Sequence, residues 1–126
     1  EIIESPDYKT LKDLYGKAKI FWSASGFNQN EEKNPEKVEH FGITIVEAMA
    51  GGVVPIVYNA GGHKEIVIEG ENGLLWQTTT ELIKKTQSLI IDTKKFRNIA
   101  LNAKKSAEKY SEADFEKNIV SHILKK

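Results

Sequence analysis

The chain has 126 residues, 40% of them hydrophobic and 29% charged, and 18 basic side chains balance 18 acidic ones; this is the profile of one ordinary soluble globular domain, and nothing in it suggests disorder. A net charge of zero argues against a sequence-independent nucleic-acid binder, which needs a surplus of Lys and Arg on one face. With no Cys, disulfides and thiolate metal sites are excluded and a reducing compartment, the cytoplasm, is the simplest expectation.

Neither a membrane-spanning apolar stretch of roughly 20 residues nor a signal-peptide pattern is visible, and the start at Glu1 rather than Met leads us to expect that upstream sequence is missing. Leu11, Leu14, Tyr15 and Ala18 recur at helical spacing, which predicts an amphipathic helix over about residues 6–18, weakened near its end by Gly16. Ile20, Phe21, Trp22, Ser23 and Ala24 read as a buried strand. Residues 26–38, GFNQNEEKNPEKV, lack apolar periodicity and read as a surface loop. A helix over about 42–50 carries apolar residues on nearly every side, implying burial all round, and Gly51 with Gly52 stops it.

The run Val53 to Tyr58 is continuous and apolar, typical of a parallel strand, with Pro55 tolerable near its start. A short helix over 64–68 and a turn at Gly70 to Gly73 lead to a last short strand at 74–76. Helices over about 79–91, 93–109 and 112–125 close the chain, Ser111 and Asp114 resembling a capping signal for the third. Trp22 and Trp76 adjoin strands and are expected in the core, and no internal repeat is present.

Helices alternating with non-alternating apolar strands predict an α/β fold with a parallel sheet, because parallel neighbours need crossover connections. Ligands in such sheets bind at the carboxyl ends of the strands. One junction there carries chemistry. Glu39 stands just before the helix that starts near Gly42, and Glu47 lies within it, eight positions on. The helix terminus offers unpaired N–H groups and the positive end of the macrodipole, and Gly42 lets an anion approach the backbone. At 1.5 Å per helical residue the two carboxylates stand roughly 10 Å apart, so they can hold the two ends of a ligand whose phosphates lie between them. Carboxylates accept from vicinal hydroxyls, which makes Glu47 a candidate for a ribose diol and Glu39 for the hydroxyls of a sugar.

The run EHFGITIVEAMAGGVVPIV, followed by NAGGHKEIV and ENGLLW, resembles retaining glycosyltransferase family 4 in order and spacing from Leu11 through Trp76. The resemblance implies the carboxyl-terminal, nucleotide-sugar-binding half of a GT-B fold: a Rossmann-like parallel sheet flanked by helices, truncated at its amino end. It further implies that residues 1–126 form a partial donor domain, that the amino-terminal acceptor domain is absent, and that the chain alone is inactive. Glu39 is the catalytic candidate; Phe41, Gly42, Ile43 and Thr44 would face the donor sugar and phosphates, Glu47 the ribose, and Gly61 and Gly62 would lie near the donor. The implied partners are a nucleotide sugar and, through the missing domain, a glycan, lipid-linked or other acceptor, at the cytoplasmic face of a membrane if the full enzyme associates with one. No cofactor and no metal are expected.

Two features depart from the family pattern. His63 stands where many members carry Pro, and the Arg and Lys that clamp phosphates in the family have no counterpart, since Lys9, Lys12, Lys17 and Lys19 fall on or beside the first helix. Plainer readings stand beside these: Glu39 as a carboxylate stabilising a helix dipole, Gly61 and Gly62 as a turn, Glu65 as a solvated side chain. His40 and His63 make a poor metal site without a carboxylate cluster. Two rival functions remain at this stage, an epimerase or phosphorylase on the same two-domain plan, and a non-catalytic α/β interaction module.

Overall fold

A computed structural model describes residues 7–27, 43–61 and 63–109. The elements run α1 (Tyr8–Lys17), β1 (Ile20–Ser23), α2 (Ile43–Ala50), β2 (Val54–Tyr58), α3 (His63–Ile66), β3 (Leu74–Trp76), α4 (Thr79–Ile91) and α5 (Thr93–Glu108). The expected helix over 112–125 and most of the expected loop over 26–38 lie outside the described residues. The three described strands are parallel in the order β1-β2-β3, the parallel sheet expected from the alternation of elements.

Side chains alternate across the pleat. Phe21, Val57 and Leu75 pack with Ile45, Val46 and Met49 of α2 and with Ile66 and Val67, while Val54, Ile56, Leu74 and Trp76 pack with Leu89 of α4 and Ile99 of α5. The sheet is therefore covered on both faces, as a parallel sheet must be. Helix α5 contributes Ile99 to one cluster and the small Ala103 and Ala107 to the other, where they lie against α2. Phe27, just past β1, lies edge-on to Tyr58 and tilted against Trp76, and the Trp76 indole N–H donates to the Ser23 carbonyl at 3.2 Å.

Local signals set the ends of the helices. Asp7 caps α1 by accepting from the Thr10 N–H at 2.7 Å, and bonds from Thr10 hold its carboxyl below the usual range. Thr78 caps α4 and Asp92 caps α5 in the same manner. Gly52, at φ +78, supplies the left-handed residue after α2. In the ladder, Val54 N–H donates to Lys19 and Asn59 N–H to Trp76. Odd residues of β2 thus turn their backbone toward β3, and the donor that Pro55 lacks falls where β3 has not yet begun, as the sequence suggested.

Two expectations need correction. Trp22 is not core: it is 57% exposed, because β1 is the outermost of the described strands, and its indole N–H donates to Thr86 Oγ1 of α4 at 3.0 Å. Nor is α2 buried all round, since Thr44 and Ala50 are exposed and Glu47 only half-buried. Beneath β3, Asn72 is buried and fully used: its carbonyl accepts from Ile68 N–H at 2.7 Å and its amide donates to the Ile66 carbonyl and to Ser106 Oγ.

Glycines set the closest approaches. A Cβ on Gly73 would lie 2.7 Å from Pro55 Cγ, 2.8 Å from Pro55 O and 2.9 Å from Val67 Cγ1, whereas one on Gly16 would meet nothing within 4 Å. Gly73→Ala is therefore expected to lose about 1–3 kcal/mol of stability by overpacking. Gly16→Ala, in a helix, is expected to gain about 0.5–1 kcal/mol. Urea unfolding of both variants checks this pair, and equal midpoints would contradict it.

Candidate functional site

Helices α1 and α2 meet along a groove of about 310 Å³ lined by Leu11, Lys12, Tyr15 and Gly16 on one side and Glu47, Ala50 and Gly51 on the other. Its shape follows from two glycines. Gly16 leaves its wall without a side chain. At Gly51, a Cβ would stand 3.1 Å from the Tyr15 carbonyl oxygen, so glycine is what lets α1 come this close to the end of α2. Tyr15 also meets Phe21 edge to face, with centroids 6.3 Å apart, which fixes α1 on the α2 side of the sheet.

Among the described residues, the half-buried Glu47 is the acidic residue of the groove. Its charge is felt by Tyr15, whose phenol is pushed above its ordinary pKa chiefly by burial and secondarily by Glu47. At neutral pH the phenol keeps its proton and remains a donor. The groove thus offers a carboxylate acceptor, a phenolic donor, the Lys12 ammonium and an apolar floor from Leu11 and Ala50.

The other expected site residues are placed as follows. Glu39, Phe41, Gly42 and Gly62 lie outside the described residues. Ile43 opens α2, and Thr44 is exposed in its first turn, one turn ahead of Glu47. Gly61 follows β2 with φ +55, a left-handed conformation that glycine tolerates best, so the turn reading of this residue has a physical basis of its own. His63 is fully buried, and its Nδ1 lies 2.7 Å from the Tyr58 carbonyl; because a carbonyl only accepts, Nδ1 carries the proton. This residue belongs to the packing behind the strand ends. Glu65 is exposed. Among the described residues no group of three His, Cys, Asp or Glu is disposed to hold a metal ion, and no helix is long and apolar enough to cross a membrane.

Sequence reasoning did not foresee that α1 supplies half of the groove. The helical spacing of Leu11 and Tyr15 predicts only a packing face, and Lys12 counts only among the Lys residues on or beside the first helix that do not supply a phosphate clamp. The available signal was the pairing of Gly16 with Gly51, two small residues at facing helix ends.

The family profile described as glycosyl transferases group 1 matches residues 2–106. The chain belongs to this family. As a member of glycosyl transferases group 1, it is 33% identical over 86 residues to the Dictyostelium discoideum GDP-Man:Man(3)GlcNAc(2)-PP-Dol alpha-1,2-mannosyltransferase, a match that covers 68% of this chain and 17% of that protein. Among solved structures, the C-terminal domain of the group 1 protein LpcC from Francisella tularensis superposes with a TM-score of 0.68 at 27% identity, over 86% of this chain and 50% of that one. Anabaena Alr3699/HepE, solved with UDP and glucose, gives a TM-score of 0.58 at 33% identity over 68% of this chain and 24% of its own. The chain therefore spans less than a fifth of the mannosyltransferase and half of the LpcC domain.

The groove makes a direct prediction about titration. Replacing Glu47 by Gln removes the smaller of the two causes that raise the Tyr15 pKa, so Tyr15 should form its phenolate at lower pH than in the parent chain, yet still above an ordinary tyrosine. Tyrosine-ring carbon NMR, assigned with Tyr15→Phe, measures this; an unchanged titration would show that Glu47 and Tyr15 do not share the groove.

Proposed function

We propose that the chain is the donor-binding part of a retaining glycosyltransferase of family 4 type, which holds a nucleotide sugar and presents it to an acceptor on a separate amino-terminal domain. The observation that carries this reading is the half-buried Glu47, one turn behind the exposed start of α2, in a groove of nucleoside size. In this reading the ribose hydroxyls donate to Glu47, and the nucleoside lies along α1 against Tyr15 and Leu11. The phosphates reach toward the N-terminus of α2, past Thr44 and the backbone of Phe41, Gly42 and Ile43, and the sugar meets Glu39. Gly61 and Gly62 border the sugar from the end of β2.

The chemistry follows from that order. As the bond from the anomeric carbon to the diphosphate breaks, negative charge builds on the leaving phosphate. The N–H groups and positive dipole end of α2 stabilise that charge where it develops, without reorganising. A metal ion is not required for this role. Glu39, on the sugar side, orients the donor so that the acceptor oxygen bonds the anomeric carbon from the face the diphosphate leaves, which retains configuration, while the acceptor's proton passes to the departing phosphate oxygen.

Two of the similar proteins support a nucleotide sugar as donor, one being named for GDP-Man and one solved with UDP and glucose. The mannosyltransferase, whose name carries a PP-Dol-linked glycan, also supports a lipid-linked glycan as acceptor. An epimerase, a phosphorylase or a non-catalytic module is disfavoured by the family match.

In the full-length enzyme, Glu47→Ala removes a charged hydrogen-bond acceptor of about 1.5–3 kcal/mol, so kcat/KM for the nucleotide sugar should fall roughly 10- to 100-fold. Glu39→Ala should lower kcat itself. Steady-state kinetics with UDP-, GDP- and ADP-sugars test both statements, and unchanged kinetics for both variants would overturn the reading.

A further inference from the structure

Gly16 has no reason within the fold to be glycine. Inside a helix glycine is less stable than alanine, and it is kept where φ is positive or where a neighbour leaves no room for a Cβ. The positive-φ glycines are Gly26, Gly52, Gly61 and Gly70, so Gly16 is not among them. A Cβ on Gly16 would meet no atom of the described residues within 4 Å, whereas at Gly51 it would stand 3.1 Å from the Tyr15 carbonyl oxygen. The space that Gly16 leaves open is space in the α1–α2 groove.

The two walls are in step. Each helix turns directly into the parallel strand that follows it, α1 into β1 and α2 into β2, so the helices run in the same sense. Gly51 lies against the Tyr15 carbonyl. One turn back along each helix come Leu11 and Lys12 on one wall and Glu47 on the other. Lys12 and Gly16, four residues apart, share one stripe of α1.

We infer that Gly16 and Lys12 form the nucleobase seat of this groove, and that the seat takes an oxo base, uracil or guanine, in preference to the amino bases cytosine and adenine. The assignment rests on the donor-binding reading above: with the ribose on Glu47 and the phosphates toward the start of α2, the base crosses to the opposite wall. There the bare backbone of Gly16 admits the flat of a ring beside Tyr15, and Lys12 brings an ammonium to the ring's edge. An ammonium only donates. Uracil O4 and guanine O6 accept, whereas cytosine and adenine carry at the matching position an amino group that donates. Against Lys12 an amino base sets two donors face to face, and a site loses most affinity where a polar group is left without its partner.

Calorimetric titration of the 126-residue chain with UDP, CDP, GDP and ADP tests this. In whichever pair binds, UDP with CDP or GDP with ADP, the oxo member should bind about 10-fold more tightly. Lys12→Met should bring the oxo nucleotide down to the level of its amino counterpart. Gly16→Leu, which suits a helix better than glycine and whose fold thermal unfolding checks, should abolish binding by filling the seat. Glu47→Ala should weaken all the nucleotides alike. If none of the four binds the parent chain, or if Glu47→Ala changes nothing, the donor-binding reading falls and the seat with it. Binding that needs Glu47 but treats both members of each pair equally, or that keeps its strength in Gly16→Leu, overturns the seat alone. So does an equal loss for all four in Lys12→Met, which would put the ammonium on a phosphate.

Discussion

Strand β2 must be buried on both faces and paired on both sides, and most of the molecule is a consequence of that requirement. Val54, Ile56 and Val57 have no exposed surface, and each such side chain contributes roughly 1.5–3 kcal/mol by leaving water. To hide them, α2 and α3 cover one face and α4 the other, while α5 passes from one cluster to the other. The crossover geometry that this demands puts α2 between β1 and β2 in the chain, with its N-terminus at the carboxyl end of the strands, where open α/β sheets bind ligands.

The site inherits its geometry from that packing. Ile45, Val46, Ala48 and Met49 are spent on the core, which leaves the strip of α2 containing Thr44 and Glu47 to face outward. Helix α1 is drawn against this strip by Tyr15 on Phe21 and by the bare backbone of Gly51. A carboxylate and a phenol are brought together by helices whose other faces are occupied with burying the sheet, so the groove is held by stability rather than by loop conformation.

Much of this was legible in the residues. The bounds of α4 and α5 and the strand at 74–76 followed from periodicity and capping, because these segments are long or tightly punctuated and local physics decides them. Glu47 was singled out by its spacing from Glu39, and the structure places it half-buried in the α1–α2 groove. The misreadings share one cause. Trp22 has the sequence environment of a core residue, and α2 reads as apolar on all sides, but burial depends on where a strand or helix sits in the layer, and that position leaves no local mark. Lys12 and Tyr15 escaped notice for the same reason, since only the meeting of α1 with α2 makes them neighbours of Glu47.

The central claim is that a nucleotide binds along the α1–α2 groove at Glu47. Its most direct measurement is amide and side-chain chemical-shift mapping of the labelled chain titrated with UDP and with GDP. The account predicts saturable shifts centred on Tyr15, Thr44, Glu47 and Gly51 for one of the two nucleotides, with little change along α4. Shifts clustered on α4 and α5 while those four residues stay still would contradict it.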